Sequence, residues 1–167
     1  MLILSGLNAL VCFIFLIVFP LLSFADERIK VKMIDFGLYE AKSSGRMVQS
    51  YGLYNGYFRP SSSLEQIKET NGIIGSLGTT FGFRYMVTML PLSNSREANF
   101  CGSHPPIINS VTGIASTKDC YKYLLRPGKV QWHTFFFEDQ TEIVRGVWRL
   151  YIEKDGDILI EKEFDVK

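Results

Sequence analysis

Cysteine and histidine are the residues in this chain best suited to nucleophilic chemistry. Cys101 lies three residues before His104, so an imidazole could act as the base for a thiol nucleophile. Cys120 is available to the same sulfur, and two cysteines in an oxidising compartment form a disulfide more readily than they leave one thiolate free. We therefore predict a disulfide between Cys101 and Cys120, with two separate thiols as the alternative, and no catalysis by cysteine.

The histidines do not indicate a metal centre. His104 and His133 have no partner at a usual ligand spacing, and the sequence has no Cys-x-x-Cys pair. His104 precedes two prolines and is expected to hold a loop shape or to face solvent. His133 is expected to face solvent or to be a buried, hydrogen-bonded imidazole. No glycine cluster matches a phosphate-binding loop, so we predict neither a metal nor a cofactor.

The carboxylates give no pattern typical of acid–base catalysis. Glu161 and Glu163 share the solvated face of a predicted strand, and Glu138 and Asp139 begin a turn. Glycosidase chemistry needs two carboxylates that converge in a cleft, and nothing in the sequence indicates convergence. A Gly-x-Ser-x-Gly nucleophile elbow is also absent from the sequence. We therefore predict that the protein is not an enzyme and has no catalytic residues.

The stretch with the composition of a recognition surface is residues 49–59. Its aromatic residues alternate with glycine and asparagine and are Tyr51, Tyr54, Tyr57 and Phe58. Tyrosine provides a large contact area at low entropic cost, and long loops without secondary structure are uncommon unless they are functional. We predict that these four side chains, together with His104, contact a protein partner. The alternative is a β-hairpin whose tyrosines pack on the rest of the fold.

Short strands separated by turn residues must position these groups. Phe81, Phe83, Tyr85 and Val87 alternate with smaller or polar residues, as a strand with one buried face requires. Near the C-terminus, Asp155-Gly156 joins two alternating runs and predicts a hairpin. The prolines after His104 are expected to end a strand, and residues 109–118 to form a loop. Seven or eight strands without a long helix predict an all-β antiparallel sandwich.

The N-terminal segment predicts export. Residues 1–25 contain no charged side chain, and a long apolar run ends in Ser23-Phe24-Ala25. We predict a signal peptide over residues 1–25, cleaved after Ala25, and a single domain over residues 26–167, located in the periplasm or secreted. The apolar run could also span a bilayer, so an uncleaved inner-membrane anchor is the alternative.

Several blocks occur together in an order that carries a family resemblance. They are residues 35–40, residues 78–85, His104-Pro105-Pro106, Gly146-Val147-Trp148 and the closing Phe164-Asp165-Val166. The chain resembles a bacterial family of exported proteins known as domain of unknown function 3859. The resemblance implies a small immunoglobulin-like β-sandwich, and it implies no activity and no catalytic residues. The Tyr-rich stretch and the cysteine pair look like departures from the family pattern.

Composition and motifs together favour a binding protein over an enzyme. The net charge of +1 gives no reason to expect a nucleic acid partner. We expect a non-catalytic protein-binding module of the cell envelope or secreted fraction, with membrane contact only if the N-terminal segment is not cleaved. A structural or accessory domain that pairs a sheet edge with an envelope partner is the alternative, and a hydrolase is the weaker one.

Overall fold

A computed structural model describes residues 28–43, 46–90, 96–109 and 112–167. The predicted signal peptide, residues 1–25, lies outside these ranges. Across the described ranges, no helix combines the length and apolar character needed to cross a membrane.

The described residues form strands connected by turns, with one short 3₁₀ helix at Gln140–Glu142. The strands are β1 (Lys30–Ser43), β2 (Val48–Gln49), β3 (Tyr57–Phe58), β4 (Ser61–Lys68), β5 (Gly72–Ile73), β6 (Thr80–Met89), β7 (Glu97–Ile108), β8 (Ala115–Leu124), β9 (Val130–Phe136), β10 (Gly146–Lys154) and β11 (Asp157–Val166). The all-β prediction is confirmed. The predicted count of seven or eight is too low, because β2, β3 and β5 are two-residue strands that have no readable alternation.

Two sheets pack face to face. The first has the order β4-β1-β6-β9, and the second has the order β5-β11-β10-β7-β8. Pairing is antiparallel except between β5 and β11. Strands β2 and β3 form a separate two-stranded ribbon. Consequently β8 and β9 are edge strands of opposite sheets, and Gln131 Nε2 of β9 donates to the Leu124 carbonyl at the end of β8 (2.9 Å).

The core lies between the sheets and is built from the alternation visible in the sequence. From the first sheet, β6 contributes Phe81, Phe83, Tyr85 and Val87, all fully buried. From the second sheet, β10 contributes Trp148, Leu150 and Ile152. Burial of each large side chain of this kind contributes roughly 1.5–3 kcal/mol to folding. The closing hairpin is confirmed, with positive φ angles at Asp155 (53°) and Gly156 (91°), as a tight primed turn requires.

Strand β7 differs from the prediction, because it continues through the prolines. The β7–β8 register shifts between Ser103 and Ile107, and β10 pairs with β7 only as far as Ser103. The prolines therefore lie where neither neighbour needs a ladder N–H. The predicted loop at residues 109–118 is also too long, since β8 already begins at Ala115.

Candidate functional site

A hairpin formed by residues 48–58, here called the cover hairpin, lies against β8. Its arms pair Val48 with Phe58 and Gln49 with Tyr57. The carbonyl of Gly52 accepts a hydrogen bond from the Cys120 N–H (2.8 Å). A Cβ at position 52 would lie 2.0 Å from the Cys120 carbonyl oxygen, so the close approach needs glycine. Of the two alternatives for this stretch, a recognition loop and a β-hairpin packed on the fold, the structure contains a hairpin that is fixed to β8.

The strand beneath the cover hairpin is cross-linked to its neighbour. Cys101 of β7 and Cys120 of β8 lie directly opposite each other and form a disulfide, with 4.1 Å between their Cα atoms. The predicted cysteine pair is confirmed. The Gly52 contact therefore attaches the cover hairpin at a covalently braced point of the sandwich.

His104 and Asp119 form a buried pair next to the same contact. Asp119 accepts hydrogen bonds from the Tyr54 backbone N–H (2.9 Å) and the Ser116 hydroxyl (3.2 Å), and its other oxygen lies 3.2 Å from His104 Nε2. The His104 ring packs against Trp148, with 4.8 Å between centroids. Its side chain is 1% exposed, so the expectation that it faces solvent is wrong. Because the His104 side chain is buried, a partner could contact it only if the residues that cover it moved.

Tyr54 anchors the centre of the cover hairpin. Its hydroxyl donates to Glu142 Oε1, and the Glu142 Oε2 atom accepts the backbone N–H groups of Glu138 (2.6 Å) and Asp139 (3.1 Å). Glu142 is 2% exposed, and this burial raises the pKa of its carboxyl. Burial and the bond to Glu142 also raise the pKa of Tyr54. For Tyr54, the alternative of a tyrosine packed on the fold is the observed one.

A cleft of about 400 Å³, here called the edge cleft, opens between β8 and β9. Its floor is β9, and its walls are residues 53–61 and the outer part of β8. The aromatic side chains that line it are Tyr54, Tyr57, Phe58, Tyr121, Tyr123, Trp132, Phe135 and Phe136. Phe58 stacks on Tyr121, with 4.7 Å between ring centroids. Tyr57 and Phe58 are thus half-buried wall residues, whereas Tyr51 at the hairpin tip is 91% exposed.

Charged residues lie at both ends of the edge cleft, and Arg59 lies beside the carboxylates at one of them. Arg126 and Lys129 lie at the end where β9 begins, and Glu138 and Glu142 lie at the end where β9 finishes. Glu138 is paired with Arg59 (3.3 Å). The Glu142 carboxylate accepts three hydrogen bonds, from Tyr54, Glu138 and Asp139. Asp119, Glu138 and Glu142 therefore do converge on the cleft, but all three are engaged by neighbouring groups.

Sequence reasoning missed this convergence and the aromatic lining. Asp139 caps the 3₁₀ helix and Glu142 returns a bond to its N–H, a pattern recognisable as a capping box in the sequence. That signal predicts a local turn and carries no information about Tyr54, which lies 88 residues away. Within the described ranges, no group of His, Cys, Asp and Glu is arranged to hold a metal ion.

His133 occupies the core behind the cleft floor. Its Nε2 donates to the Cys101 carbonyl (2.8 Å), while Nδ1 has no hydrogen-bond partner among the described residues. Burial lowers the pKa of His133 to about 4, so the ring is neutral at pH 7. Of the two alternatives for this residue, the structure contains the buried imidazole.

Comparison with known proteins identifies the family of the chain and a protein of similar fold. The family described as Domain of unknown function (DUF3859) matches residues 28–166. The chain belongs to the DUF3859 family. An immunoglobulin-like protein of Pseudomonas aeruginosa, solved by crystallography, is similar in structure with a TM-score of 0.63 and 22% identity, over 86% of this chain and 99% of that chain. No curated protein matches the chain.

The structural neighbour confirms the fold of this DUF3859 chain as an immunoglobulin-like β-sandwich. At 22% identity the likeness concerns the fold alone. The family supplies no activity.

Proposed function

We propose that this DUF3859 chain is an exported, non-catalytic protein-binding module of the cell envelope or the secreted fraction. The observation that carries the proposal is Tyr51, 91% exposed at the tip of the cover hairpin. The hairpin below it is held by Gly52, Tyr54 and the Asn109 amide, which donates to the Tyr54 carbonyl (2.7 Å). A rigidly supported aromatic side chain loses little entropy when a partner covers it.

Two further features support this assignment. The Cys101–Cys120 disulfide fits an oxidising compartment outside the cytoplasm. The carboxylates at the edge cleft are engaged by Tyr54, Arg59 and backbone N–H groups, which favours a structural role for them over proton transfer. A surface without a strong net charge favours a protein over a nucleic acid as the partner.

Site-specific photocrosslinking tests the proposal. A photoreactive phenylalanine analogue would replace Tyr51 in the full chain, expressed in its own cells. We expect one defined crosslinked protein, and we expect Tyr51→Ser to reduce recovery of that protein with the purified chain. Ile158, also exposed but on the closing hairpin, is the matched control position. Equal crosslinking from both positions, or none from position 51 in the folded protein, would contradict the proposal.

Sheet-edge pairing is the second candidate function, and one observation favours it. Strands β8 and β9 lie at the edges of their sheets, and each pairs with a single long strand among the described residues. An open edge offers backbone N–H and C=O groups to another chain. Loss of a partner after Lys122→Pro on β8, with no effect of Tyr51→Ser, would favour this candidate over the first.

A further inference from the structure

The floor of the edge cleft is an unpaired strand edge. The Phe137 N–H donates to the Thr79 carbonyl (3.1 Å), and its carbonyl accepts from Gly78 (3.0 Å), so Phe137 faces the β6 side. Antiparallel ladders alternate, so the backbone groups of Trp132 and Thr134 point away from β6. Among the described residues, β9 pairs with β6 alone. The cleft therefore exposes a ready template for one more strand.

This edge is protected from pairing only by the residues that partly cover it. Free edges are commonly blunted by lysine, by proline or by a bulge. Strand β9 reads Val-Gln-Trp-His-Thr-Phe-Phe, which contains none of the charged residues or prolines, and its register with β6 is regular throughout. A strand edge that has no charged residue, no proline and no bulge favours association with another strand. Residues 53–61 restrict access to the edge of β9, so this edge is partly covered but remains unpaired among the described residues.

The cleft walls indicate what side chains an added strand would carry. Successive side chains of a strand point to opposite faces. One face would meet Phe58 and Tyr121, and the other would meet Trp132 and Phe136. Both faces are aromatic, so the segment would be apolar on both sides. The volume of about 400 Å³ is within the range of ligand-binding clefts.

The charges at one end of the edge cleft indicate a direction. Arg126 and Lys129 lie where β9 begins. Where β9 finishes, Glu138 is paired with Arg59 and Glu142 accepts the Tyr54 hydroxyl, so the direction rests on the two cations at the first end. A peptide antiparallel to β9 would begin near the carboxylates and finish near the two cations. Its terminal carboxylate, or an acidic side chain at that end, would then be matched by positive charge.

We propose that the edge cleft binds an extended, apolar peptide segment of the partner protein, which pairs antiparallel with β9 and places a carboxylate beside Arg126 and Lys129. The inference rests on the proposed function, because it names the chemistry of the partner segment. It adds main-chain pairing as the source of affinity and a charged end as the source of direction.

The test uses heptapeptides displayed with free C-termini and selected against the full-length protein. We expect selected sequences that are apolar in the middle and end in a carboxylate. Amidation of a synthetic selected peptide should weaken binding about tenfold if its terminal carboxylate is the matched group, and replacement of a terminal Asp by Asn should do so if the side chain is. Amide hydrogen exchange should slow at Trp132 and Thr134 on binding.

Two variants separate the pairing from general effects on folding. Thr134→Pro removes an outward N–H that β6 does not use and should abolish peptide binding. If that variant does not fold, Arg126→Ala with Lys129→Ala should weaken binding about tenfold and remove the preference for a carboxylate. Lys122→Ala, which removes an exposed cation of β8, is the control and should leave binding unchanged.

The failure of this inference is distinguishable from failure of the proposed function. If no peptide protects the β9 amides while position 51 still crosslinks to one protein, the cleft proposal is wrong and the binding function stands. If position 51 does not crosslink either, both are wrong. Quenching of Trp132 fluorescence by cellohexaose, without binding of any selected peptide, would overturn the peptide assignment in favour of a carbohydrate ligand.

Discussion

At the scale of single residues, His133 is the group whose titration should make the fold less stable in acid. The unfolded chain takes up a proton with the ordinary histidine pKa of about 6.5. Burial lowers the folded-state pKa to about 4. Between these values the unfolded state binds more protons than the folded state, so stability falls as pH decreases.

We therefore expect the free energy of unfolding of the natural chain to lose roughly 2–3 kcal/mol through His133 between pH 7 and pH 4.5. His133→Phe should be less stable at pH 7, because the Cys101 carbonyl loses its donor. The deficit should shrink or reverse at pH 4.5. Urea unfolding at both pH values measures it, and an unchanged difference between the two proteins would contradict the neutral, buried ring.

Tyr54 gives a second residue-scale prediction. Tyr54→Phe removes the hydroxyl that donates to the buried Glu142 carboxyl and should reduce stability by about 1–2 kcal/mol. The pKa of Glu142 should rise further, because this hydrogen bond lowers it. Tyr51→Phe, at the exposed tip, is the matched control and should be neutral. Equal urea midpoints for all three proteins would mean that the Tyr54 hydroxyl does not hold the cover hairpin.

At the scale of elements, the cover hairpin depends on the absence of a side chain at position 52. Gly52→Ala would place a Cβ 2.0 Å from the Cys120 carbonyl oxygen, and backbone atoms cannot yield that far locally. We expect the hairpin to lift from β8 while the sandwich remains folded. Faster amide exchange across residues 48–58 and at Cys120 would report this. Gly72→Ala, whose nearest atom is Thr70 Oγ1 at 3.9 Å, is the control.

The surroundings of the cover hairpin could be predicted from the sequence only in part. The alternation around Phe81 and Trp148 predicts buried faces because parity along one strand is a local property. The position of His104 depends on the β7–β8 register, and that of Glu142 depends on Tyr54, which lies 88 residues before it. No local sequence pattern encodes either dependence. The disulfide was predictable from cysteine count and compartment. The edge cleft was not, because it requires knowing that β8 and β9 are edges on the same side.

At the scale of the whole molecule, the disulfide should set much of the stability. Closing a loop between cysteines 19 residues apart contributes about 3 kcal/mol in the chain-entropy model. The double variant Cys101→Ala with Cys120→Ala should lose about that amount in urea unfolding. Reductant should destabilise the natural chain and leave the variant unchanged. An identical response of both proteins to reductant would contradict a stabilising role for the bond.

Export is the prediction that links the fold to its compartment. The intact mass of the natural chain, recovered from periplasm and medium, should correspond to a protein that begins at Asp26 and is two hydrogens lighter before reduction than after it. Cleavage removes the apolar segment that could hold the chain in a bilayer, and oxidation joins the strands that support the cover hairpin. A full-length mass confined to the membrane fraction would support the anchor instead. Partner searches would then be directed to the membrane surface, with the edge cleft presented from a tether.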